Sequence, residues 1–491
     1  MKRTFCIFTA AALALLTGCG AKGGAKGGTG SPGAESFDGK REGEIVVSAY
    51  DTMGYRNFLE EAARSFEAEN PGTKIKVETF SAMPEIREGG TGTNRIQSVQ
   101  VQDDPQGRAD YVSRVNTGLM SGTGADLYAL DVLPLQRFVQ NKNLENLEPW
   151  MDADPGFQRQ DYRENILDAL RYKNGTWFLP LEYTFKYYAY DARLVPAAVA
   201  EQFGPDKAWN SAELLALGES LYSGEYKIFN STLQGLGLQM LNENIRKFAD
   251  LENKKANFLD GGFTGMLNSL KTYAEKGYLP PDPKGQDNPE AMMEMVAMTP
   301  TDRFFFKLNE NISLLTQFTR GTEMRMMMIQ SGSVAGVTDD DEIAGIAALS
   351  DGAVPFSYGK AFGLSAQSKN KALAWAFLTY LLQKEAQLST SFTSGELPLN
   401  NQARLEKAET LFSGSMRGGA GRPLSDQMRG RMERYREAVE TLSDSINTLV
   451  LRDSAIDDMI SAEARYFLDG SRSPEAVAKV LQNKTDLYLN E

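Results

Sequence analysis

Eight side chains, Tyr50, Asp51, Tyr55, Asp131, Tyr183, Lys186, Tyr187 and Ser331, bring together aromatic faces, carboxylates, an ammonium and a hydroxyl. A polyhydroxylated ring needs both kinds of group, flat apolar surface for its C–H faces and paired polar atoms for its hydroxyls. The chain offers much less for covalent chemistry. It has no histidine, and its two cysteines are Cys6 and Cys19. That excludes Ser-His-Asp and Cys-His nucleophiles and zinc sites built from Cys and His. Two carboxylates alone can hydrolyse a glycoside, but among 65 acidic residues no spacing singles out such a pair. The run Asp339-Asp340-Asp341-Glu342 lacks the spacing of a calcium loop and reads as a solvated acidic loop. Tyr187 and Tyr188 cannot grip one metal together, because adjacent strand residues point to opposite faces. No cofactor and no metal are expected.

Cys19 carries a different chemistry. Lys2 and Arg3 precede an apolar run at 5–16, and Leu16-Thr17-Gly18 then leads into the cysteine. The run falls short of the ~20 residues that span a bilayer. It reads as a processed leader, residues 1–18, that resembles a bacterial lipoprotein signal. Cys19 would carry the lipid and hold the protein to the outside of the cell membrane. Residues 19–43, rich in glycine and poor in apolar side chains, read as a flexible tether. With 65 acidic against 52 basic residues the net charge is −13. Such a surface repels phosphates, so no nucleic-acid partner is expected.

The candidate residues need a scaffold. Ile45-Val46-Val47 reads as a strand. Phe58, Leu59, Ala62, Ala63 and Phe66 recur at helical spacing until Asn70-Pro71-Gly72. Ile75, Val77 and Thr79 alternate as a second strand, and a polar insert occupies 85–107. A helix at 111–120, a strand at 125–131 and a helix from near Pro134 complete a β-α-β-α-β order. That order implies a parallel sheet with helices on both faces. Asn174-Gly175 reads as a tight turn before strands at 177–181 and 187–190. Residues 209–311 read as mainly helical, 324–329 and 362–364 as strands, and 371–382 as a helix. A last helix is capped by Ser473-Pro474-Glu475.

Ligands of open α/β sheets sit beyond the carboxyl ends of the strands, which draws 48–55, 130–134, 182–187 and 330–333 together. Asp51 and Asp131 could instead cap the helices that follow them. Half of the tyrosines at 183–190 must face the core. Trp150, Trp177, Trp209 and Trp375 read as packing residues, and Phe356 and Tyr358 as weaker stacking candidates.

In their order and spacing, several stretches resemble the family 1 extracellular solute-binding proteins of ABC importers, the group that includes maltose-binding protein. They are Phe66-Glu67-Ala68-Glu69-Asn70-Pro71-Gly72, Gly124-Ala125-Asp126-Leu127-Tyr128, Gly175-Thr176-Trp177-Phe178-Leu179-Pro180, Arg320-Gly321-Thr322-Glu323-Met324, Ser368-Lys369-Asn370-Lys371-Ala372-Leu373-Ala374-Trp375-Ala376-Phe377-Leu378 and Gly395-Glu396-Leu397-Pro398-Leu399-Asn400. The resemblance implies an α/β, two-lobe periplasmic-binding-protein type II fold with hinge crossovers and C-terminal helices. Lobe one would hold 44–182 plus 331–362, and lobe two 183–330 plus 363–491. The crossovers would lie near 181–184, 326–330 and 362–365. It further implies a non-enzymatic, monomeric capture protein that delivers a solute, above all a mono- or oligosaccharide, to an ABC transporter permease. A surface glycoside hydrolase or lyase, and a binding module for a sensor or adhesion complex, are the alternative readings.

Overall fold

The structure, a computed structural model, describes residues 42–51, 55–80, 105–280, 304–309, 341–389, 396–412 and 426–490. Cys19, Ser331, the acidic residues 339–340 and the expected strand at 324–329 lie outside them. Two sheets dominate the described residues, together with a two-stranded hairpin. Among the described residues no helix is long and apolar enough to cross a membrane.

The strands in chain order are β1 (Gly43–Tyr50), β2 (Thr73–Phe80), β3 (Leu127–Ala129), β4 (Leu179–Thr184), β5 (Tyr187–Asp191), β6 (Ala208–Trp209), β7 (Lys227–Phe229), β8 (Ala249–Asp250), β9 (Lys255–Ala256), β10 (Phe304–Asn309), β11 (Asp341–Ala347), β12 (Pro355–Leu364), β13 (Leu397–Pro398) and β14 (Thr448–Leu449). The first sheet runs β13-β4-β12-β3-β1-β2, with β14 also on β12. The second runs β6-β11-β5-β10-β7.

The opening β-α-β-α-β segment folds as its periodicity predicts. Ile45, Val47 and Ala49 of β1 point into the core. The helix Tyr55–Glu69 buries Phe58, Leu59, Ala62, Ala63 and Phe66, one stripe of a 3.6-residue repeat. β1 pairs in parallel with β2 and β3. The sheet is mixed rather than all-parallel, however, because β12 runs antiparallel to both β3 and β4.

The turn before β4 is centred one residue earlier than expected. Lys173 and Asn174 both have positive φ, at 47° and 61°, and Tyr172 and Gly175 exchange backbone hydrogen bonds at 2.9 and 3.2 Å. Gly175 is needed for space instead: a Cβ there would lie 2.9 Å from the Asn146 amide.

Three expectations are corrected. The stretch 209–311, read as mainly helical, holds the helices Ser211–Leu221, Leu233–Phe248 and Gly262–Glu275, but it also supplies β10, which lies in the second sheet between β5 and β7. Its apolar Phe304-Phe305-Phe306 has no alternation to betray a strand, because a central strand is buried on both faces. The acidic run is not wholly a solvated loop either. Asp341 opens β11, and its two carboxylate oxygens accept from Lys307 at 2.9 Å each, with both side chains buried.

The third correction concerns the lobe limits. β11 lies in the second sheet, although residues 331–362 were assigned to lobe one. The helix Lys371–Leu381, assigned to lobe two, packs Leu373, Trp375, Phe377 and Leu378 into the core of the first sheet. Short apolar elements carry no signal of which sheet they join. The chain passes from the first sheet to the second at Phe185 and Lys186, returns between β11 and β12, and leaves again after β14. The helices Ser454–Leu468 and Pro474–Asn490 then pack into the second core.

Candidate functional site

The three passages between the sheets converge on one cavity of about 240 Å³. Phe185 and Lys186 come from the first passage. Ala347, Ala348 and Leu349 lead into the second, and Pro355 to Tyr358 leave it. Val450 and Arg452 belong to the third. Asp131 reaches in from the end of β3, and Gln239, Asn242 and Glu243 project from the helix Leu233–Phe248. Both sheets therefore contribute to the walls.

Asp131 anchors the first-sheet wall. Its carboxylate accepts from the Tyr55 hydroxyl at 2.9 Å. It does not cap the helix Leu135–Gln140, whose N-terminus has no side-chain cap. Asp131 is open to the cavity yet enclosed by protein on several sides. That partial desolvation pushes its carboxyl up to about 6, against the lowering effects of Tyr55 and Lys360. Behind it lies a charged group. Lys360 donates to the buried Glu182 at 2.8 Å. Burial, with the Glu182 charge nearby, raises Glu396 to about 7, while burial lowers Lys407 to about 8.

The second-sheet wall is held by Glu243. Its carboxylate accepts from Tyr188 at 2.7 Å, from Gln239 at 2.8 Å, and from the Ser211 amide and hydroxyl at 3.1 and 2.5 Å. Lys186 donates to Gln239 at 3.1 Å, and Arg452 to Asn242 at 2.8 Å. Tyr358, half-buried against Phe178 with ring centroids 4.8 Å apart, supplies a ring at the lining, beside Phe356 and Phe185. Such a site can hold a small polar molecule between an aromatic face and amide, carboxylate and cationic groups.

Of the eight residues singled out from sequence, Asp131 and Lys186 line this cavity, and Tyr55 stands directly behind Asp131. The others within the described residues do not line it. Tyr50 is buried, stacked on Phe80 at 6.1 Å and tilted against Tyr111 at 5.7 Å. Asp51 accepts from the Arg56 amide at 3.4 Å in the first turn of the helix that follows it. Tyr183 is fully buried in the first core. Tyr187 is buried too and accepts from the Tyr435 hydroxyl at 3.0 Å. Tyr187 and Tyr188 do point to opposite faces, one into each core.

Sequence reasoning missed Gln239, Asn242, Glu243 and Arg452. The signal was the spacing of Gln239 and Glu243, one turn apart on the buried side of an amphipathic helix, where polar pairs must have partners.

The desolvation of Asp131 has a measurable consequence. Its folded pKa, about 6, lies above the ordinary 3.8, so the folded chain binds that proton more tightly than the unfolded chain. Ionised Asp131 thus costs stability above pH 6, and the cost fades as the pH falls toward about 4. Asp131→Asn is expected to melt above the parent at about pH 7.5 and level with it near pH 4, as followed by thermal unfolding. A variant that melts below the parent at neutral pH would sink the assignment.

The fold has many relatives among solved structures. A family 1 extracellular solute-binding protein from Alicyclobacillus acidocaldarius superposes with a TM-score of 0.54 at 14% identity, covering 92% of this chain and 100% of its own. The sugar-binding protein MalE of Xanthomonas citri gives 0.56 at 14% identity, covering 91% and 98%. An ABC substrate-binding protein from Listeria monocytogenes, in complex with cycloalternan, gives 0.52 at 15% identity, covering 91% and 99%. At these identities the likeness shows the two-lobe α/β fold. Comparison with curated protein sequences finds no match. The model of the bacterial extracellular solute-binding proteins matches residues 91–410, well over half of the chain, and the protein belongs to that family.

Proposed function

We propose that this protein captures a carbohydrate in the cavity between its lobes and delivers it to the permease of an ABC transporter, without changing it chemically. The supporting observation is that all three passages between the sheets, and side chains of both lobes, line one cavity with an aromatic ring beside carboxylate, amide and cationic groups. A ligand touching both walls favours the closed arrangement, because only there are both sets of contacts made. The permease would then read the closed shape. A cavity of about 240 Å³ suits a short saccharide better than a long chain. The solved relatives bound to or named for sugars favour the same ligand class. Acylation of Cys19 would hold the protein at the outer face of the cell membrane, with residues 20–43 as its tether.

A melting screen over mono- and oligosaccharides tests this reading. A true ligand at about 100 times its dissociation constant should add roughly 2.7 kcal/mol of stability, and chromatography of the mixture should recover it unchanged. Products would favour a hydrolase or lyase. Stabilisation by none of the saccharides would remove the carbohydrate assignment.

A further inference from the structure

Lys360 departs from the strand that contains it. β12 keeps one register with β4, from Ser357 opposite Thr184 to Phe362 opposite Leu179, yet Lys360 has a φ of 45°. A long side chain rarely adopts that left-handed backbone, and such strain persists only where neighbours fix it. Two neighbours fix Lys360. Its ammonium donates to Glu182 at 2.8 Å, and the Glu182 side chain is almost wholly buried. The other Glu182 carboxylate oxygen is buried with no hydrogen-bond partner among the described residues, so release of Lys360 would strand a buried charge. The second neighbour is Asp131. Phe362 of β12 lies opposite Ala129 of β3 in an antiparallel pair, which puts Lys360 opposite Asp131, just past the end of β3. The Lys360 main-chain N–H donates to the Asp131 carboxylate, alongside the Tyr55 hydroxyl. Asp131 and Tyr358 line the cavity, and Lys360 does not.

We infer that Lys360 is a positioning residue for solute capture: its left-handed backbone and its Glu182-anchored ammonium hold the Asp131 carboxylate as an acceptor at the cavity wall. This deepens the capture reading and rests on it for what is bound. On its own side of the cavity the charged groups near Asp131 are Lys360, Glu182 and Glu396, with Lys407 behind them. Two acids there oppose an ionised Asp131, and the Lys360 ammonium offsets them. Tyr55, Tyr111 and Tyr358 also face it but, pushed up by burial, stay neutral. Across the cavity stand Lys186, Arg452 and Glu243, the last tied by Tyr188, Gln239 and Ser211. A carboxylate kept ionised and fixed in direction accepts from solute hydroxyls, whereas a protonated one gives up part of that acceptor capacity.

The test reads Asp131 with and without that ammonium. Glu182→Gln serves as background, so that loss of Lys360 strands no carboxylate. Lys360→Asn then removes the charge but keeps a residue type that tolerates the left-handed backbone. The pH at which the melting advantage of Asp131→Asn levels off marks the Asp131 midpoint. It should lie about one unit higher with Lys360→Asn than without it, and Lys360→Arg should restore it. In titration calorimetry with the saccharide that most raises the melting temperature, Lys360→Asn should bind about threefold more weakly at about pH 6.5 and equally at about pH 8.5. Should Glu182→Gln fold poorly, Lys360→Arg and Lys360→Asn in the parent must show the same differences. An unmoved Asp131 midpoint, with stability lost evenly at every pH, would make Lys360 a strut between β12 and β4 and overturn the inference. A midpoint that moves while affinity stays level at every pH would overturn it as well. If no saccharide binds at all, the carbohydrate reading falls by itself, and the melts alone decide whether Lys360 governs Asp131.

Discussion

Trp375→Ala is expected to lower the free energy of unfolding by about 3–5 kcal/mol, with the loss read as a shift in denaturation midpoint. Trp375 is fully buried and sits where three chain segments meet. Its ring lies 6.2 Å from Trp150 and 5.8 Å from Phe157, and its indole nitrogen donates to Asp154 at 2.9 Å. Truncation would leave a cavity beneath the first sheet and a carboxylate without its donor. Trp375→Phe should lose less, because it keeps most of the packed volume and forfeits only the hydrogen bond. A loss below about 1 kcal/mol for the alanine variant would mean that the site relaxes, contrary to a close-packed core.

The second large effect belongs to the ion pair inside lobe two. Lys307 on β10 stands opposite Ala189 of β5, and Asp341 on β11 stands opposite Asp191. All four side chains share one face, and the small Ala189 leaves Lys307 room to reach across β5 to Asp341. Both partners are almost wholly buried. Asp341→Asn should therefore destabilise by about 3 kcal/mol, the low end for a broken buried pair, since it leaves the buried ammonium only the neighbouring Asp191, which Arg193 already engages. The paired variant Lys307→Met with Asp341→Leu should recover most of that loss, because neither charge remains to be desolvated. Denaturation of the single and double variants measures the difference directly. A paired variant as unstable as Asp341→Asn would show that the charges themselves are required.

The legible parts of the sequence were those where a period runs uninterrupted. The helix Tyr55–Glu69 and the strands on either side of it were readable because each buries one face against one core. The last helix, Pro474–Asn490, was readable from its cap, where the Ser473 hydroxyl accepts from the Ala476 amide at 3.3 Å. β10 was not, since a central strand covered on both faces shows no alternation, and β11 was not, since its acids disguised a buried pair as a solvated loop. The strand-end rule placed Asp131 and Lys186 at the cavity. It could not separate Tyr358 from Tyr183, because exposure depends on which neighbours cover each ring. It also could not reach Gln239, Asn242 and Glu243, which come from the middle of a helix rather than the end of a strand.

Titration calorimetry with the saccharide that most raises the melting temperature is the direct test of solute capture. One molecule should bind per parent chain and be recovered unchanged, and Tyr358→Ala should lose about 2–4 kcal/mol of binding, as for other desolvated aromatic anchors. Heat from turnover, or a Tyr358→Ala variant that binds as tightly as the parent, would contradict it.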